Sequence, residues 1–162
     1  MTLQLQEGFR LLASRRFPAR FPSKGLRHRA VVGIGGNIGD VAKRFDRVVD
    51  YLQRSGQIHV VQLSPLLRNP PFGFIEQPDF LNAVMVIETG LNPPALMRYL
   101  LWVEKRFGRR RSFKNAPRTL DLDIIFYDQL RVKTMRLRLP HPHFHERESV
   151  MIPLMFLKGE SV

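Results

Sequence analysis

Ala30-Val31-Val32-Gly33-Ile34-Gly35-Gly36-Asn37-Ile38-Gly39-Asp40 runs straight into Val41–Arg54, and this junction decides the fold. Ala30–Gly36 is apolar or glycine throughout and reads as a strand ending in a Gly-rich turn. Asp40 stands where a helix N-cap is needed. Beyond it Phe45, Val48, Val49 and Leu52 recur at helical spacing and form one apolar face, which Ser55-Gly56 ends. Working outward, Ile58–Leu63 reads as a second strand, Phe80–Thr89 as a third and Leu120–Tyr127 as a fourth. Pro93-Pro94 opens a second helix whose core face carries Leu96, Leu100, Val103 and Phe107. Arg131–Leu139 reads as a short edge hairpin, and His145–Leu157 as a last helix entered past Pro140 and Pro142. The order βαββαβ with an extra C-terminal helix predicts an α+β, ferredoxin-like sandwich. Between the second and third strands, Ser64–Asp79 is rich in Pro, Gly and polar residues, a connection long enough to suggest function.

The 162 residues suffice for one domain with a real core. There is no cysteine, which excludes disulfides, zinc fingers and iron–sulfur clusters. No apolar run approaches the ~18 residues that span a bilayer, so neither a membrane nor a secretory route is expected, and a reducing cytoplasm is compatible. The net charge of +12 suggests nucleic acid until it is located. Residues 1–29 hold seven Arg/Lys against Glu7, residues 105–118 hold seven and no acid, and the rest is nearly neutral. Two local blocks do not make the broad stripe of a nucleic-acid-binding face. Residues 1–29, with sparse hydrophobics and Pro18 and Pro22, read as a basic extension ahead of a domain over 30–162. A targeting signal is the competing reading of that extension.

The chemistry concentrates in Ala116-Pro117-Arg118-Thr119-Leu120-Asp121-Leu122-Asp123. Residues i and i+2 of a strand share a face, so Asp121 and Asp123 project together, their Cα atoms roughly 6.5–7 Å apart. Such a pair can share two metal ions about 4 Å apart, an arrangement used in phosphoryl transfer. Internal salt bridging with neighbouring cations is the alternative. Just upstream, Lys105–Lys114 is a dense cationic stretch suited to polyphosphate, or a solvated helix end. Phe80 and Asn82 share one face of their strand, an aromatic to stack and an amide to hydrogen-bond a flat heterocycle; a core Phe and a turn-capping Asn fit the spacing equally. Gly33–Gly39 lacks the spacing of a dinucleotide fingerprint or a phosphate loop and reads as a tight turn. His141-Pro-His143-Phe-His145 invites a zinc reading, but its prolines and the lack of a partner cluster favour a phosphate contact by His141, with Arg147 following.

Several segments in this order resemble one family. They are Gly33–Asp40, Asn69-Pro70-Pro71-Phe72-Gly73, Gln77–Val84, Ala116–Ile124, and Pro140-His141-Pro142 through Arg147 to Pro153-Leu154. Together they are similar to the 6-hydroxymethyl-7,8-dihydropterin pyrophosphokinases of folate biosynthesis, over about residues 30–157. The resemblance implies a ferredoxin-like fold and transfer of pyrophosphate from ATP to the pterin hydroxymethyl group, releasing AMP. It implies that Asp121 and Asp123 bind two Mg²⁺ ions and that Phe80 stacks the pterin, Asn82 reads it, and Pro70 and Phe72 line its pocket. It assigns Glu104, Arg109, Arg111, Ile124, His141 and Arg147 to ATP, and makes Arg109, Arg111, Arg118, Asp121 and Asp123 catalytic. Ser149 stands where members often carry a second stacking aromatic, and the loop 112–116 departs from the familiar residues. The expected partners are the two small-molecule substrates alone, with no nucleic acid or membrane, and the expected form is a cytoplasmic monomer. The competing class is a ferredoxin-like RNA-binding module, which predicts exposed aromatics on adjacent strands; two acids on the binding strand would repel its phosphates.

Overall fold

The computed structural model describes residues 5–110 and 113–157. The strands are β1 (Arg10–Leu12), β2 (Ala19–Arg20), β3 (His28–Gly36), β4 (Ile58–Leu63), β5 (Leu66–Asn69), β6 (Phe80–Thr89), β7 (Asp121–Tyr127), β8 (Val132–Lys133) and β9 (Arg138–Leu139). The helices are α1 (Val41–Ser55), α2 (Pro93–Arg106) and α3 (Glu148–Leu154), with a 3-10 turn at Phe144–Glu146. β7, β3, β6 and β4 lie side by side in that order, every pair antiparallel, which is the α+β ferredoxin-like arrangement expected from the order of elements.

Local sequence sets the helix ends. The Asp40 carboxylate accepts from the Lys43 amide at 3.2 Å to open α1, and Gly56, with φ 77°, closes it in the left-handed region. Asn92 caps α2 through the Ala95 amide at 2.9 Å, followed by Pro93 and Pro94, whose missing amide protons cost nothing there. Alternation along the strands sends Ala30, Val32, Ile34, Leu122 and Ile124 to one face of the sheet. There they meet Phe45, Val48, Val49 and Leu52 of α1 and Leu96, Leu100 and Val103 of α2. The opposite face carries a smaller apolar cluster, Val31, Val61, Val84, Val86 and Ile125, under Phe144, Val150 and Leu154. Toward β7's start this second face is left open.

Three features depart from the expected elements. β5 lies inside the stretch expected to be loop; flanked by Pro65 and Pro70 and only four residues long, it is too short for its alternation to stand out. The last helix spans Glu148–Leu154 and not His145–Leu157, because the preceding turn is 3-10 and Pro153 has no amide proton to continue the ladder. Residues 10–12 and 19–20 of the basic extension join the sheet: β1 pairs with β5 and β2 with β4, covering one edge. Between them Phe17 is fully buried in the main core beside Phe45, ring centroids 6.0 Å apart. Ser14 and the Arg16 amide both donate to Asp46, and Arg15 and Arg16 pair with Asp50 on α1.

A further tie is Glu88 on β6, buried to 3% exposure. Burial by itself would raise its pKa, but bonds from the Ser23 hydroxyl, the Lys24 amide and Arg29 outweigh it and hold the carboxyl at about 2 instead of 4.5. A folded pKa below the unfolded one stabilises the fold above pH 4.5, and that contribution is lost as the pH falls toward 2. Glu88→Gln should therefore lower the urea midpoint at pH 7 by an amount equivalent to about 1–3 kcal/mol. The difference from the unsubstituted chain should shrink in titrations run toward pH 3, within that same window.

Candidate active site

The open part of the second sheet face forms a cleft of about 500 Å³. Its floor is β3 and β6. Gly35 has no side chain because the space is taken: a Cβ there would lie 2.6 Å from the Asn82 side-chain oxygen. One end is formed by Asn69 at the end of β5, Phe72 in the following loop, Phe80 and Asn82 of β6, and Ser149 and Val150 of α3. Asn82 donates to the Asn69 side-chain oxygen at 2.8 Å, which fixes the orientation of its amide and leaves its own oxygen as an acceptor beside Gly35. The other end holds Asp121 and Asp123 of β7, Arg118, Asn115, His143, Glu146 and Arg147.

Strand alternation places Asp121, Asp123 and Ile125 toward the cleft, with Leu122 buried in the opposite core. Asp121 is gripped on both oxygens, by Arg109 at 2.6 Å and Arg118 at 2.9 Å. Arg109 is itself held by Glu104 at 3.0 Å, and the second Glu104 oxygen accepts from the Leu122 amide at 2.7 Å. Glu104 is a buried carboxylate on the inner face of α2, so its role here is to lock the end of α2 to the start of β7. Burial opposes the charge on Arg109, but Asp121 and Glu104 beside it outweigh that and raise its pKa.

Asp123 is in the reverse situation. Desolvation, then repulsion from Asp121 and Glu104, pushes its carboxyl up to about 7 from 3.8. Two facing carboxylates, one already saturated by arginines and the other short of positive charge, are a donor set that suits a hard divalent cation. Among the described residues no cluster of three or more His, Asp or Glu could hold a metal by itself. That also suits magnesium, which is commonly held by one or two carboxylates with the remaining positions filled by water and substrate phosphates.

Other expected residues fall around this centre. His141 is partly buried next to Arg147, its pKa lowered by burial and by Arg147 and His143, and its amide bonds the Ile125 carbonyl at 2.9 Å. Pro70 follows β5 immediately, beside the cleft lining. Ile124 has its side chain in the main core, on the far side of the sheet from the cleft. Arg111 lies outside the described residues.

The structure also brings in residues that the sequence reading had not singled out. Asn37, in the glycine turn, is buried and makes four bonds. Its amide nitrogen donates to Gln77 at 2.8 Å and to the Pro78 carbonyl at 2.9 Å, its side-chain oxygen accepts from the Arg118 amide at 2.8 Å, and its backbone amide donates to the Arg118 carbonyl at 2.9 Å. It thereby positions Arg118. The available signal was an amide side chain inside an otherwise glycine and apolar turn. Gln77 continues the link, donating to the Asn115 carbonyl at 2.9 Å, while Phe74 meets Phe113 edge-on at 5.3 Å. The two loops that flank the cleft are thus joined over it. Glu146, paired at 3.1 Å with His143 of the histidine run already considered, also reaches the cleft through the 3-10 turn, a placement that spacing alone could not show.

The chain is similar to proteins of one family. The family described as 7,8-dihydro-6-hydroxymethylpterin-pyrophosphokinase matches residues 31–159. The 2-amino-4-hydroxy-6-hydroxymethyldihydropteridine pyrophosphokinase of Helicobacter pylori is 39% identical over 158 residues, covering 93% of this chain and 97% of its own. The enzyme of that name from Campylobacter jejuni is 43% identical over 144 residues, 87% of this chain and 90% of its own. The one from Bacillus subtilis is 34% identical over 125 residues, 77% and 75% of the two chains. With the fold, the cleft and these relatives in agreement, the chain belongs to the 7,8-dihydro-6-hydroxymethylpterin pyrophosphokinase family.

Proposed function

We propose that this cleft transfers pyrophosphate from ATP to the hydroxymethyl group of 6-hydroxymethyl-7,8-dihydropterin in folate biosynthesis, releasing AMP. The observation that carries the reading is the paired carboxylates of Asp121 and Asp123 at one end of a cleft whose other end offers Phe80, Asn82 and Asn69. The pterin lies against the Phe80 ring with the Asn82 oxygen accepting from a ring N–H, which points its hydroxymethyl group along the cleft toward the carboxylates. Asp121 and Asp123 would hold Mg²⁺, which supplies charge neutralisation on the phosphates as the bond to the β-phosphorus is exchanged. Arg118 and Arg109, which pair with Asp121, would supply guanidinium donors to phosphate oxygens at that end, with Glu104 holding Arg109 in place. Arg147 and His141 approach from the other wall and suit the nucleotide's phosphates. Ser149 contributes no stacking surface, so Phe80 carries the pterin ring with the apolar Phe72 and Val150 nearby. The reading takes the enzyme to work as a monomer in the cytoplasm; among the described residues no helix is long and apolar enough to cross a membrane.

The test is incubation with ATP, Mg²⁺ and the hydroxymethyl dihydropterin, separating AMP from ADP. AMP formation that requires both pterin and metal is expected; ADP as product, or ATP loss independent of pterin, would overturn the reading. Within that assay Asn82→Ala should raise the KM for the pterin roughly 10–100-fold with a much smaller effect on the KM for ATP, since it removes a half-buried amide that reads only the acceptor.

A further inference from the structure

The cleft's acceptor end has an outer support that the family match, beginning at residue 31, does not include. Residues Gln6–Phe9 form a tight turn in which the Phe9 amide donates to the Gln6 carbonyl at 3.0 Å. Gly8 supplies the positive φ, 86°, that the third position of such a turn requires. From this turn β1 runs antiparallel along β5, with Arg10 opposite Arg68 and Leu12 opposite Leu66. β5 is the strand that delivers Asn69, and then Pro70 and Phe72, to the cleft.

Two contacts then bracket the pocket. Gly8 lies against Pro70 so closely that a Cβ on it would come within 3.0 Å of the proline ring. The Gln6 side chain donates to the Glu148 carboxylate at 2.9 Å, at the first residue of α3. The next two residues of α3, Ser149 and Val150, line the cleft opposite Asn82 and Phe80. One turn therefore fastens the β5 wall and the α3 wall to each other from outside. In a protein whose second stacking position is Ser149, the separation of those walls is not set by an aromatic pair, which leaves it to the backbone supports.

We propose that residues 5–12 are a positioning strap for the acceptor end of the cleft, fixing the distance between the β5 and α3 walls and with it the affinity for the pterin. The proposal rests on the reading of the cleft as a pterin pyrophosphokinase site. Gly8 bears on Pro70 and Gln6 on Glu148, one residue past Arg147 at the nucleotide end, so nucleotide affinity is the control that shows whether the strap acts on the acceptor end alone. A segment that merely added stability would change the fraction of active protein and leave both substrate affinities alone.

The experiment uses the full chain and measures binding of the pterin and of an ATP analogue by calorimetry, with pterin-dependent AMP release followed in parallel. Gln6→Glu sets a carboxylate against Glu148 at an exposed position, and should weaken pterin binding about threefold to tenfold with nucleotide binding unchanged. Adding Glu148→Gln restores a donor–acceptor pair in the opposite sense and should return the pterin affinity to that of the unsubstituted protein. Gly8→Val should weaken it by about tenfold or more, through displacement of Pro70. Equal pterin affinity in Gln6→Glu and the parent chain, or an equal loss for both ligands, would overturn the strap even if Gly8→Val fails to fold. If the unsubstituted chain releases no AMP and binds no pterin, the functional reading fails and the strap's role falls with it. An active parent whose strap variants bind pterin normally removes the strap alone.

Discussion

Asp123→Asn is expected to reduce pterin-dependent AMP release by at least about 1,000-fold while making the metal-free fold more resistant to heat at pH 8. The first effect follows from the loss of one of the two paired carboxylates that β7 turns into the cleft. The second follows from the state of Asp123 in the free protein. Burial and the carboxylates of Asp121 and Glu104 lift its pKa to about 7 from 3.8. The folded chain therefore holds the Asp123 proton more tightly than the unfolded chain does. Ionising it costs the folded state stability as the pH rises from about 4, and the full cost is present above pH 7. An asparagine of the same shape removes that cost, a gain of about 1–2 kcal/mol once partial exposure is discounted. Thermal unfolding with a chelator present should show the gain at pH 8 and a shrinking difference toward pH 4. A variant that is less stable at pH 8 would contradict the electrostatic account, whatever its activity. Stability and function oppose each other here because the charge that weakens the empty fold is the charge that the reaction uses.

Phe17→Ala should destabilise the protein by about 3–5 kcal/mol, as much as truncating any large side chain of the central core. Phe17 is fully buried with Phe45, although it lies between two strands of only three and two residues. The ring packs within the main core beside Phe45 of α1, so its removal leaves a cavity there. Equilibrium urea unfolding measures the loss directly. A cost below about 1 kcal/mol would mean that the core closes without this ring.

How much of this was legible in the sequence depended on periodicity and length. The four long strands and two long helices announce themselves, because apolar or helical patterning persists over six or more residues and the ends are marked at Asp40, Gly56 and Pro93-Pro94. β1, β2 and β5 do not, since four residues or fewer give no usable period and these strands exist because a neighbour offers them an edge: β6 for β5, β5 for β1 and β4 for β2. In the site, Asp121 with Asp123 and Phe80 with Asn82 were readable as i, i+2 pairs whose common face follows from the strand itself. The clamp of Arg109, itself held by Glu104, on Asp121 was not. It depends on where α2 ends relative to the start of β7, a tertiary relation that no local pattern encodes. Asn37 was hidden for another reason: inside a glycine turn an asparagine is ordinary, and only its burial and four bonds show that it holds Arg118 in place.

The central claim is that the cleft moves the β- and γ-phosphates of ATP together onto the pterin. Supplying ATP labelled at its β-phosphorus, with Mg²⁺ and hydroxymethyl dihydropterin, tests this most directly. The account predicts that all label leaving ATP appears on the pterin, with one unlabelled AMP formed per pterin consumed. Label recovered in ADP or in free pyrophosphate, with the pterin unmodified, would contradict it.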